Sequence, residues 1–213
     1  MARPRKASDD QVFAAMQRVM QRRAPAELTL AEIAREAKVT AGALVQRFGS
    51  KRGLMLALFE RAAGGTAELF RELQAKRRSP LAVLRGYADC TAELGETPAT
   101  LAHNLNYLQL DLTDEAFGKL ARAQARIARG EIRRLLKEAV AAGELRDDTD
   151  TSALAQLVEA TIGGSLMSWG FYQDGDARRW VRRHLELALR PYRGTRGRGT
   201  RRRSPPSGHL AMD

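Results

Sequence analysis

Between residues 9 and 192, apolar side chains recur at intervals of three and four, while the period-two alternation of a half-buried strand is almost absent. A chain so patterned folds as an all-α protein. Ser8 stands before Val12, Phe13, Met16, Val19 and Met20 as the N-cap of a first helix, with Asp9 and Asp10 in the favourable first turn. Thr29-Leu30-Ala31-Glu32 reads as a capping box opening a second helix that runs to about Ala37. Thr40 caps a short third helix ending near Phe48-Gly49. Ser50 caps a fourth that opens at Lys51 and carries Leu54, Met55, Leu58 and Phe59. Gly64-Gly65 either bends that helix or is tolerated within it, at about 1 kcal/mol per glycine relative to alanine. Proline takes a first helical position after Ser79 and after Thr97. Thr113-Asp114-Glu115 opens a long helix that Gly143 ends, and two more helices cover about 151–172 and 177–192.

Charge divides this helical chain into three. The net charge of +11 over 213 residues splits into +6 for residues 1–52, zero for 53–192 and +5 for 193–213. A localised excess marks a polyanionic partner, and nucleic acid is favoured over a membrane surface because no basic segment forms an apolar-faced helix of useful length. The expected organisation is a helix-turn-helix domain with a basic arm (1–52), a larger helical domain (53–192) and a disordered Arg-rich tail (193–213). No stretch approaches the roughly 18 apolar residues of a membrane span. Ser8, Asp9 and Asp10 stand where an export signal needs its apolar core. One cysteine, Cys90, makes neither a disulfide nor a Cys-based metal site alone. A cytoplasmic chain with no membrane partner, no cofactor and no metal is the expectation.

Function concentrates between Leu28 and Leu58. A capped helix with Ile33, Ala34 and Ala37, a turn of Lys38-Val39-Thr40 and a short helix with Leu44 and Phe48 make a helix-turn-helix. Ala34 is small enough for the two helices to approach. In DNA-binding versions the exposed first turns of the second helix enter the major groove. An ordinary αα-corner has the same outline, and the +6 charge decides for DNA.

These residues resemble the TetR-type transcriptional regulators. The resemblance lies in Thr29-Leu30-Ala31-Glu32-Ile33-Ala34-Arg35-Glu36-Ala37, Val39-Thr40, Gly42, Leu44, Phe48, Ser50-Lys51 and Leu54, and it covers about residues 10–60. It implies a homodimer whose N-terminal domains read a palindromic operator in double-stranded DNA. Its C-terminal helices would dimerise, the last two foremost, and enclose a pocket for a small-molecule effector that releases the DNA. The chain departs from the family at Lys38, usually glycine, and at Ala41, Ala43 and Val45, where the family carries polar groups and a phosphate-contacting tyrosine.

The DNA-contacting set read from this motif is Thr29, Lys38, Thr40, Ala41, Gly42, Ala43, Gln46, Arg47 and Lys51. Gln46 suits adenine, Arg47 suits guanine or phosphate, and Ala41 or Ala43 suits a thymine methyl. Gln46 reads equally well as a solvated surface residue, and Lys38 as a solvated turn lysine. Lys51, at the start of the fourth helix, suits a phosphate. Arg3, Arg5 and Lys6 form a candidate minor-groove arm.

The resemblance puts the effector pocket among the middle helices, where Tyr87, His103, Asn106, Tyr107, Trp169 and Tyr172 are candidates for lining it, each more at home in an ordinary core. Catalysis is not expected, since the three histidines show no metal-ligand spacing and no nucleophile or phosphate-loop motif is present. A nonspecific architectural DNA-binding protein and an activator of the same fold remain the alternatives to a repressor.

Overall fold

The computed structural model describes residues 7–194. They form α1 (Asp9–Met20), α2 (Leu30–Glu36), α3 (Ala41–Phe48), α4 (Lys51–Ala75), α5 (Pro80–Ala92), α6 (Pro98–Thr113), α7 (Glu115–Ala141), α8 (Thr151–Tyr172) and α9 (Ala177–Leu189). Short 3₁₀ turns follow α5 and α9, and the described residues contain no strand. The all-α expectation is met. No helix is long and apolar enough to cross a membrane among the described residues. The arm residues Arg3, Arg5 and Lys6 and all of the tail beyond Gly194 lie outside the described residues.

Most helix starts sit where their caps place them. Ser8, Thr29, Thr40, Ser50, Ser79 and Thr97 each accept a bond from the backbone amide three residues on. The capping box expected at Thr29 is only half formed. Its hydroxyl accepts from the Glu32 amide at 3.2 Å, but the Glu32 carboxylate turns away to the Arg23 guanidinium at 3.3 Å. The reciprocal box forms instead at Ser8, whose own amide donates to the Gln11 side chain at 3.0 Å. The last helix stops at Leu189 rather than Tyr192. Pro191, which has no amide to donate, leaves a 3₁₀ turn over Arg190–Tyr192.

The two ends of α4 serve two cores. Leu54, Met55 and Leu58 join Val12, Phe13, Met16, Ile33 and Leu44 in an N-terminal core, while Phe70 and Leu73 join a body core built on α5, α7, α8 and α9. Tyr107 of α6 and Phe117 of α7 also enter the N-terminal core. That core thus draws on residues far beyond position 52.

Gly64-Gly65 does not break α4, which runs unbroken for 25 residues. A Cβ at either glycine would meet nothing within 4 Å. Replacing both by alanine is therefore expected to stabilise the protein by about 1–2 kcal/mol, read as a higher midpoint of urea unfolding at unchanged slope.

In the body, α9 is tied to α5 by an antiparallel row of ion pairs. Arg178 meets Glu93 at 3.1 Å, Arg182 meets Asp89 at 2.5 Å and Glu186 meets Arg85 at 2.5 Å. The spacing of four along α9, and along α5 as far as its C-cap Glu93, brings all three pairs to one seam. Asp89 is 7% exposed, and Arg182 meets both of its oxygens.

Candidate nucleic-acid interface

The geometry of α2 and α3 begins with the turn between them. The Val39 amide donates to Ala34 O at 2.9 Å and the Lys38 amide to Arg35 O at 3.2 Å, the paired bonds of a Schellman ending. That ending requires a left-handed residue, and Lys38 takes it with φ of 57°. The same ending closes α7, where Gly143 occupies the position with φ of 68°. A lysine there costs about 1–2 kcal/mol of backbone strain that glycine avoids, and its side chain is exposed on the turn.

On α3, Leu44 is buried and Phe48 half-buried, so they fix which face turns inward. Gly42, Ala43, Val45, Gln46 and Arg47 are left on the outside, with Ala41 half-buried and the caps Thr29 and Thr40 exposed. The Thr40 hydroxyl accepts from the Ala43 amide at 3.1 Å, and its proton remains free to donate. The outward surface of α3 is small and smooth. Val45, where a tyrosine is usual, is 48% exposed.

The cations are distributed less simply than the charge count suggests. Arg18 and Arg22 hold Glu36, Arg23 holds Glu32, and Arg52 holds Asp114 at 2.8 Å. Arg47 is drawn back along α1, donating to Ala7 O at 2.7 Å and pairing with Asp9. Its guanidinium lies 5.4 Å from the Phe48 ring centroid. With Ala7, Ser8, Val39 and Gln46 it borders a cavity of about 570 Å³ between α1 and α3. Lys51 donates to Pro25 O at 3.1 Å. Arg35, a residue not singled out from the sequence, and Lys38 have neither an ion pair nor a side-chain hydrogen bond among the described residues. Exposed pairs of this kind contribute about 0–1 kcal/mol, so a phosphate can displace them at little cost.

The candidate effector residues do not converge on one space. Tyr87 stacks on Phe70 at 4.7 Å against the body core, and Trp169 is buried there with its Nε1 donating to Gly175 O at 3.1 Å. Tyr107 is buried in the N-terminal core and donates to Arg23 O at 3.1 Å. Burial pushes the pKa of its phenol up to about 12. His103 is half-buried, and its Nδ1 has no partner among the described residues. Tyr172 is 73% exposed and stacks on Trp180 at 5.8 Å. Asn106 borders a cavity of about 450 Å³ that also takes in Lys51, Arg52, Gln109 and Asp114. That space lies between the α1–α2 loop, the start of α4 and the corner between α6 and α7.

The small residues on the exposed face of α8 and the apolar residues beside them form a separate surface. Leu157, Met167 and Phe171 are exposed, Phe171 at 84%, and a Cβ at Gly163 or Gly164 would meet nothing within 4 Å.

Comparison with known proteins gives matches to both parts of the chain. Residues 13–58 match the family model described as bacterial regulatory proteins, tetR family. Residues 107–185 match that of the tetracyclin repressor-like C-terminal domain. No curated protein sequence matches the chain. Among solved structures, a TetR transcription regulator from Haloarcula marismortui superposes with a TM-score of 0.72 at 17% identity, covering 87% of this chain and 97% of that one. SmeT, the repressor of a Stenotrophomonas maltophilia multidrug efflux pump, gives 0.64 at 24% identity, covering 88% and 91%. The complex of SmeT with triclosan gives 0.65 at 23% identity, covering 88% and 92%.

Proposed function

We propose, because the chain belongs to the TetR family of transcriptional regulators, that it is a homodimeric repressor released from a palindromic operator by a small molecule. The observation that carries the reading is the outward face of α3. It is small, free of acidic groups and flanked by the capped start of α2 and by Lys38. Such a helix lies deep in a major groove, with Gln46 and the methyls of Ala41 and Ala43 facing base edges and Thr29, Thr40 and Lys38 facing phosphates.

Two protomers joined through the exposed face of α8, with α9 beside it, would set their α3 helices one DNA turn apart, about 34 Å. The helix α4 links the two functions, since it starts at Lys51 and ends in the body core. A tilt of α4 would change the spacing of the two α3 helices. The triclosan complex of SmeT supports a ligand-responsive body in this architecture. Lys51 would exchange the Pro25 carbonyl for a phosphate when the duplex arrives.

Selection of binding sites from random duplexes tests the reading. The expected result is a single palindrome with half-sites about one helical turn apart, and uniform recovery of all sequences would refute it. On the recovered site, Lys51→Ala is expected to weaken binding and to reduce the salt slope by about 1 for each phosphate that Lys51 neutralises. An unchanged slope would show that Lys51 does not face the duplex.

A further inference from the structure

The cavity between the two domains has an imbalance of hydrogen-bonding groups. Asp114 is the one carboxylate in its wall, and its oxygens are fully engaged. They accept three bonds from Arg52, at 2.8 to 3.3 Å, and cap α7 through the amides of Ala116 and Phe117. The Thr113 hydroxyl is likewise committed, donating to Gln109 O at 2.7 Å.

Donors, by contrast, are in surplus. Lys51 uses one of its three N–H groups on Pro25 O, and Arg52 uses Nε and Nη2 but not Nη1. The surplus is of charged donors, since the Gln109 amide, donor and acceptor alike, has no partner among the described residues and Asn106 donates to Ala102 O while its own oxygen stays open. Beneath these groups Met55, Leu110 and Phe117 supply an apolar floor. A concave site of about 450 Å³ at a domain junction, with an apolar floor and a few convergent polar groups, has the form of a small-ligand site.

We infer that this cavity binds a small organic carboxylate. The carboxylate lies against Lys51 Nζ and Arg52 Nη1, and the apolar body lies over Met55 and Phe117. The inference deepens the reading above and rests on it in one respect, the role of Lys51. An ammonium held to a carboxylate inside the cavity is withdrawn from the duplex, so the ligand and an operator phosphate compete for the same group. That is the differential interaction a releasing ligand must have between the two states.

The test uses the full chain with its methionine methyls labelled for NMR. Met55 is the methionine in the cavity wall, and Met55→Leu identifies its signal. Benzoate is expected to shift that signal to saturation in the millimolar range. Benzylamine, with the same ring and the opposite charge, is expected to leave it unmoved. Lys51→Gln and Arg52→Gln are each expected to weaken benzoate about tenfold, the loss of one charge-assisted hydrogen bond. Gln109→Trp, at the exposed rim, blocks entry without touching the core and serves should Arg52→Gln fail to fold. A Met55 methyl that ignores benzoate, or responds equally to benzylamine or in the Gln109→Trp protein, overturns the site. Benzoate binding is read without DNA. Its failure beside intact operator binding therefore refutes this inference alone, and failure to select any operator beside intact benzoate binding refutes the repressor reading alone. Benzoate that binds without loosening the operator overturns the competition for Lys51.

Discussion

Ala43→Glu is expected to weaken operator binding by about three to four orders of magnitude while leaving the fold intact. Ala43 is exposed on the first turn of α3, the face proposed to enter the groove. A carboxylate there meets acceptor atoms on base edges and the field of the phosphates. Like-charge juxtaposition across an interface costs several kcal/mol. At about 2–3 kcal/mol per half-site, a dimer loses roughly 10³–10⁴-fold in affinity, readable by fluorescence anisotropy on the selected duplex. The same carboxylate in the first turn of a helix is mildly favourable to the helix, so unfolding should shift by no more than about 0.5 kcal/mol. Retention of affinity within tenfold would show that another surface carries recognition.

The second large effect is expected on α8. Met167 and Phe171 stand exposed beside the open surface at Gly163 and Gly164. Burial in a dimer would contribute about 1.5–3 kcal/mol for Phe171, which is 84% exposed, and about half as much for Met167, which is 45% exposed. A twofold interface repeats each contact. Converting both residues to aspartate thus removes roughly 4.5–9 kcal/mol from association, weakening it by more than about 10³-fold. Sedimentation should find a helical monomer with little affinity for the palindrome, because the two half-sites are no longer linked. A dimer that survives both substitutions places the interface elsewhere.

What could be read from the chain beforehand was whatever depends on near neighbours in sequence. Caps such as Ser50 and Thr97, the proline starts of α5 and α6 and the short α3 follow from interactions spanning three or four residues. The hidden features depend on distant partners. Arg47 is held by Ala7 and Asp9, forty and thirty-eight positions away in the chain, and Lys51 by Pro25, twenty-six away. Nothing in their local sequence announces either partner.

The aromatic residues proposed for a ligand pocket show the same limit. Tyr107 and Trp169 have the right chemistry for one, but periodicity cannot say whether a buried aromatic meets a cavity or a packed neighbour, and both pack. In α6, Leu105, Leu108 and Leu112 are exposed while Tyr107 is buried on the other side, an arrangement that a count of apolar residues reads the wrong way round. Lys38 marks a middle case. The departure from glycine was visible in the sequence, and the left-handed conformation that gives it meaning was not.

Asp114 holds two offices at once, as cap of α7 and as counter-ion to Arg52 at the start of α4. The neighbouring guanidinium keeps its carboxyl below the usual carboxylate range. One largely exposed ion pair, of about 0–1 kcal/mol, therefore joins the start of α4 to the first turn of the longest helix. Substituting Asp114 would accordingly remove two supports at once, the amide acceptor of one helix and the counter-charge of another.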